Sequence, residues 1–180
     1  EFLTELNLVD QQVMRIEAIV GKLLQFARPS EFGTFQETAK PNQIVKDSLV
    51  LVNHVIMTAS IKVEHEVQDC PEVKISSGEL QQVIVNLIMN SLQAMAGQGT
   101  LKITSGPKIR DGISGAVIVV ADTGMGISEA QLKTVFDPFY TTKLGAGTGL
   151  GLSISQTLVQ NAGGLVTVRN LAPRGAEFTV

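Results

Sequence analysis

Val120-Ala121-Asp122-Thr123-Gly124-Met125-Gly126-Ile127 is the stretch on which the reading of this chain turns. The residues before it, Ala116 to Ala121, form an apolar run that predicts a strand with buried side chains. Asp122 leaves that strand into a tight turn. Gly124 and Gly126, lacking Cβ atoms, let the backbone come close to whatever the carboxylate holds. A carboxylate accepts hydrogen bonds, so it suits an exocyclic amine such as that of adenine and opposes a carbonyl such as that of guanine. Without a ligand the same residues read as an Asx-type turn, in which the Asp side chain bonds only its own backbone.

Outward from this turn the pattern alternates strands and helices. Strands are predicted over Thr34–Thr38, Ile61–Val67, Glu72–Ser76 and Thr100–Ser105 on the N-terminal side, and over Leu165–Arg169 and Glu177–Val180 on the other. Helices are predicted from Asn42 to Thr58, from the capping box Ser76-x-x-Glu79 to near Gly97, and from Gly149 to Ala162. The expected class is α+β: a two-layer sandwich whose mixed, mostly antiparallel sheet is covered on one face by helices. Ahead of it, Phe2, Leu6, Val9, Val13, Ile16, Val20, Leu23 and Ala27 recur at alternating spacings of four and three. That seam predicts a helix ended by Pro29, either docked on its own domain or serving as one arm of a helical bundle. The division expected is residues 1–30 as bundle helix and linker, and 31–180 as the globular domain.

Three further segments carry chemistry. On the helix after Ser76, Leu80, Val83, Ile84, Leu87, Ile88, Leu92 and Met95 form the predicted buried face, while Gln82, Asn86, Asn90 and Gln93 form a second stripe. Asn86 and Asn90 are four apart, so their amides share one side, where oxygens can bind a hard cation and NH2 groups a ligand. Lys, Arg and Glu are absent from Gln81 to Met95, although a plain solvent face normally uses them. In Gly145-Ala-Gly147-Thr148-Gly149-Leu150-Gly151 a glycine run enters a helix, and backbone N–H groups at a helix N-terminus make an anion site. The run is not Walker A, having no Gly-Lys-Ser/Thr, nor a dinucleotide fingerprint, because a loop rather than a strand precedes it. Between these lies Val135-Phe-Asp-Pro-Phe-Tyr-Thr-Thr-Lys143, whose Phe136, Phe139 and Tyr140 read as the anchors of a lid, with Lys143 in reach of a terminal phosphate.

Composition removes several classes of function. The 180 residues are 44% hydrophobic, enough for a substantial core, and a net charge of -3 offers no basic footprint for nucleic acid. One cysteine, Cys70 in a turn-like Asp-Cys-Pro, rules out an internal disulfide and a thiolate metal cluster and suits a reducing, cytoplasmic compartment. No apolar run approaches the roughly 18 residues of a membrane span, so any membrane attachment is expected in segments outside this chain.

The four segments, in this order and spacing, resemble the N, G1, F and G2 boxes of the catalytic ATP-binding domain of sensor histidine kinases, a Bergerat-type fold. The similarity covers about Thr34 to Val180. Leu24-x-Phe-Ala-Arg-Pro29, Phe136-Asp-Pro-Phe-Tyr-Thr-Thr-Lys143 and Gly147-Thr-Gly-Leu-Gly-Leu-Ser-Ile154 are especially similar to the nitrogen-regulator class. The resemblance implies ATP and Mg2+ as cofactors. Asn90 would ligate Mg2+, supported by Asn86, and Asp122 would hold adenine. Gly124, Gly126 and Ile127 would line the base pocket, Lys143 would meet the γ-phosphate, and Gly147, Thr148, Gly149, Leu150 and Gly151 would cradle the phosphates. Gln93 and Ala94 stand where many of these kinases carry a basic and an aromatic residue; Gln93 is kept as a ligand contact. Asn90 and Lys143 are the expected catalytic residues.

The family transfers γ-phosphate to a His followed by an acidic residue on a dimerisation helix. His54 precedes Val-Ile-Met and His65 alternates along a strand, so neither resembles the acceptor, which is expected outside this chain. The implied partners are a second copy through the N-terminal helix and a response-regulator receiver domain. Two rivals stay open: an ATPase of the gyrase and MutL type, which resembles this chain but has a Glu where Asn86 stands, and a non-enzymatic module that senses ATP.

Overall fold

The computed structural model describes residues 37–141 and 148–180. The expected helix over 2–27, the start of the strand expected from Thr34, and Lys143, Gly145 and Gly147 lie outside those residues. In chain order the described elements are helix α1 (Pro41–Met57), strand β1 (Ser60–Val67), helix α2 (Ser77–Ala94), strands β2 (Gln98–Arg110) and β3 (Ile113–Asp122), helices α3 (Glu129–Leu132) and α4 (Gly151–Asn161), and strands β4 (Thr167–Asn170) and β5 (Ala176–Thr179).

The strands form one sheet in the order β1-β2-β3-β5-β4. β1 runs parallel to β2, and every other pairing is antiparallel. Side chains alternate along β2: Leu101, Ile103 and Ser105 are buried, whereas Lys102 is exposed. The buried face, with Ile118, Val120 and Phe178, packs on the helices. The opposite face carries the ion pairs Lys62–Glu64, Lys102–Glu66 and Arg169–Glu177, exposed pairs each worth under about 1 kcal/mol.

Helix α2 is the spine of the core. Leu80, Val83, Ile84, Leu87, Ile88, Leu92 and Met95 are all at most 4% exposed, as their helical spacing predicts. Each such burial is worth about 1.5–3 kcal/mol. The capping box starts the helix: Ser76 Oγ accepts from Glu79 N at 3.2 Å, and Glu79 Oε2 accepts from Ser76 N at 3.3 Å. Because the helix begins there, the strand expected over Glu72–Ser76 has no room to extend, and only Val73 bridges Ala39.

The strands expected to end at Ser105 and begin at Ala116 instead continue into a longer hairpin. Gly106-Pro107 reads as a breaker, and the ladder with β1 does end at Ser105. Beyond it no described strand pairs with that edge of β2, and a proline facing such an edge costs no ladder bond. Asp111 and Gly112, with φ of 52° and 78°, close the hairpin in a two-residue turn. Cys70 follows β1, its Sγ donating to Asn42 Oδ1 at 3.0 Å, and burial pushes the thiol pKa up. Among the described residues no helix is long and apolar enough to cross a membrane.

Candidate functional site

Asn86 and Asn90 both sit half-buried on the face of α2 that the apolar stripe leaves free. Asn86 Nδ2 donates to Gly151 O at 3.3 Å and to Ser155 Oγ at 3.4 Å, so it reaches the first turn of α4. Ser155 Oγ in turn donates to Gly151 O at 2.9 Å. The Asn90 amide makes no hydrogen bond to a described residue. Gln93 lies one turn further on and is exposed. The two amides, four residues apart on one face, thus differ: one ties α2 to α4, and the other makes no bond to a described residue.

Asp122 ends β3 and is 2% exposed. Its Oδ1 accepts from Gly124 N at 2.8 Å and from Ala176 N at 3.4 Å. The turn of the Asx reading is therefore present, and it fixes the carboxylate by one oxygen. Gly124 is needed for close approach: a Cβ there would stand 2.8 Å from the backbone carbonyl of Ala94, at the end of α2. Met125 N donates to the same Ala94 O at 3.3 Å, fastening the turn to the asparagine helix. Ile127 is half-buried against the core.

The glycine run meets the aromatic segment in a similar way. The helix expected from Gly149 starts at Gly151, because Gly149 takes a φ of +68° that a helix does not contain. A Cβ on Gly149 would collide with the backbone carbonyl of Phe139, which itself has a φ of 66°. Its bareness serves the contact between these segments. The N-cap position, Leu150, gives the first turn of α4 no side-chain cap, so its N–H groups are not consumed by one. Leu150 is buried and Thr148 half-buried beside it. Phe136 packs on the core, whereas Phe139 is 62% exposed.

Segments far apart in sequence are thus brought together in a chain of contacts: Asp122–Gly126 on the end of α2, Asn86 on the start of α4, and Gly149 on Phe139. Lys143 and Gly147 are not among the described residues, and neither is placed relative to this group. Among the described residues no three His, Cys, Asp or Glu side chains are grouped to hold a metal. Sequence reasoning passed over four groups that support the site. Ser155 bonds Asn86, Arg174 Nε donates to Thr123 O at 3.2 Å, Ala176 N meets Asp122, and Asn170 bonds Ile127 through both ends of its amide. Only Ser155, four residues after Gly151 on the same helix face, had a local signal.

A mixed sheet with one helical layer, and a buried strand-end carboxylate beside an amide-bearing helix, suit a nucleotide-binding domain. Residues 75–180 match the family described as histidine kinase-, DNA gyrase B-, and HSP90-like ATPase, and the chain belongs to that family. Among curated relatives, the sensor histidine kinase ZraS of Escherichia coli O157:H7 is 32% identical over 167 residues, covering 92% of this chain and 35% of ZraS. The chain therefore spans about a third of the length of that relative. Full-length ShkA, solved in complex with AMPPNP, superposes with a TM-score of 0.74 at 26% identity over 92% of this chain and 35% of that one. Histidine kinase ThkA, solved with the response regulator TrrA, shares the fold with a TM-score of 0.72 at 22% identity, over 97% of this chain and 49% of that one.

Proposed function

We propose that residues 31–180 are the ATP-binding catalytic domain of a sensor histidine kinase, and that residues 1–30 end a dimerisation helix. ATP lies beside α2. Asp122 accepts from the adenine amine, Gly124, Gly126 and Ile127 line the base, and Thr148 to Gly151 with Gly147 meet the phosphates. Lys143 pairs with the γ-phosphate and Gln93 lies at the rim. Asn90 would hold Mg2+: its half-buried amide, bonded to no described residue, offers the hard oxygen that ion takes. The ion would neutralise phosphate charge. The chain's own residues bind and orient the nucleotide, and a positioned imidazole needs no base from this domain because its nitrogen is the nucleophile. The acceptor is a His on a dimerisation domain. A response-regulator Asp takes the phosphoryl group next, an assignment supported by the fold neighbour ThkA, which was solved with the response regulator TrrA. A cytoplasmic location belongs to the same reading and rests on its use of ATP.

The observation that carries this reading is the geometry of Asp122. Its two bonds both fall on Oδ1, so Oδ2 is the oxygen that can receive the base amine. In Asp122→Asn the backbone donors hold the amide oxygen in the Oδ1 position, which puts an NH2 group where Oδ2 was. A donor there opposes adenine and suits the guanine carbonyl. Calorimetric titration should therefore show wild type preferring ATP, and Asp122→Asn losing at least about tenfold in ATP affinity while gaining on GTP. An unchanged preference in the variant contradicts the assignment. The gyrase-type reading is disfavoured by Asn86, whose amide cannot accept a proton at neutral pH and is already donating to Gly151 and Ser155.

A further inference from the structure

Behind the Asp122–Ile127 loop, on the side away from α2, stands the turn between β4 and β5. Asn170 is the last residue of β4, and its side chain lies alongside the backbone of Ile127. Asn170 Oδ1 accepts from Ile127 N at 2.9 Å, and Asn170 Nδ2 donates to Ile127 O at 2.6 Å. A primary amide is the neutral side-chain group that presents an acceptor and a donor side by side, and here it meets the backbone as another peptide strand would. The same oxygen lies 3.2 Å from where a Cβ on Gly126 would stand, so the amide also abuts the preceding residue. Four residues on, Arg174 Nε holds Thr123 O at 3.2 Å.

We propose that Asn170 is a positioning residue for the base pocket, acting through Ile127 to set where the Asp122 carboxylate meets the adenine amine. The proposal rests on the reading of Asp122 as the adenine contact. Asn170 touches no nucleotide itself. Asp122 is tied at its own end by Gly124 N and Ala176 N, but the far end of the loop has these two amide bonds as its anchor to the sheet. The loop between the two anchors is short, so releasing one end lets the base contacts drift by the fraction of an ångström that weakens hydrogen bonds steeply.

The test uses the 180-residue chain and two substitutions. Asn170→Ala removes both bonds. Asn170→Asp keeps the shape and the acceptor but sets a carboxylate oxygen against Ile127 O. Affinities for MgATP and for Mg-inosine triphosphate, which replaces the amine by a carbonyl, are measured by calorimetry, with thermal melting to confirm folding and amide exchange at Ile127 to read the loop directly. Wild type should bind ATP well above inosine triphosphate. Both variants should lose about fivefold to tenfold for ATP while changing less than about twofold for inosine triphosphate, and Ile127 should exchange faster. A general loosening of the fold would lower both nucleotides together. Variants that bind ATP as wild type does, despite faster exchange at Ile127, overturn the positioning role and leave the Asp122 reading intact. Wild type that shows no preference for ATP overturns both.

Discussion

Asp122 and Gly149 show how much of this site rests on single positions. The Asp122 turn was legible because an apolar strand ends there on a carboxylate followed by two alternate glycines, and the buried carboxylate bonded to Gly124 N is the part of that reading the structure shows. At Gly149 a bare backbone was expected in order to admit phosphate, and the structure adds a use with no local signal, close approach to the carbonyl of Phe139. The distinction is testable. Gly149→Ala combines an unfavourable φ of +68° with a collision against backbone that cannot rotate away, and should cost about 1–3 kcal/mol of stability by urea unfolding. If the glycine served only ligand approach, unfolding without nucleotide would be unchanged.

Helix α2 serves two purposes on two faces. Its apolar buried stripe could be read from the sequence, since the 3.6-residue period is local and all seven expected residues are buried, but the buried Ser91 beside them was not expected. Its polar face could be read only as a face. That Asn86 ties to Gly151 depends on a helix 65 residues away, which no periodicity reports. The hairpin of β2 and β3 escaped for a different reason: Gly106-Pro107 looks like a break unless one knows that β1 ends at Val67, opposite Ser105, while the local signal, Asp111-Gly112, was passed over. The short helix α3, with its Ser128–Gln131 capping box, was missed although Ser-x-x-Gln is a start signal. Helices α1 and α2 each hold a weak point: Ser48 and Ser91 are buried, and their hydroxyls have no hydrogen-bond partner among the described residues. Burying such a hydroxyl costs about 1–3 kcal/mol, so Ser48→Ala and Ser91→Ala should each be neutral or raise the melting temperature by a few degrees. A fall of several degrees in either would mean that the hydroxyl is satisfied.

At the scale of the whole molecule, the sheet acts as a frame that holds the Asp122 turn from behind while the end of α2 meets it from the helical side, and α2 in turn meets the start of α4. The β4–β5 turn, the end of α2 and the start of α4 all converge on segments that lie far apart in sequence. This arrangement contains amides, backbone donors and a fixed carboxylate, but no general base at Asn86. It is suited to holding ATP for an external nucleophile rather than to hydrolysing it. That contrast separates the kinase reading from the ATPase reading, and one experiment addresses it. The chain is incubated with ATP labelled at the γ-phosphate, together with a dimerisation domain bearing the acceptor His, and both phosphohistidine and free phosphate are followed in time. Our account predicts label on the His domain, nearly abolished by Asn90→Ala through the loss of roughly 3 kcal/mol of transition-state stabilisation, with little free phosphate. Rapid release of free phosphate by the chain alone, lost in Asn86→Ala, would contradict it.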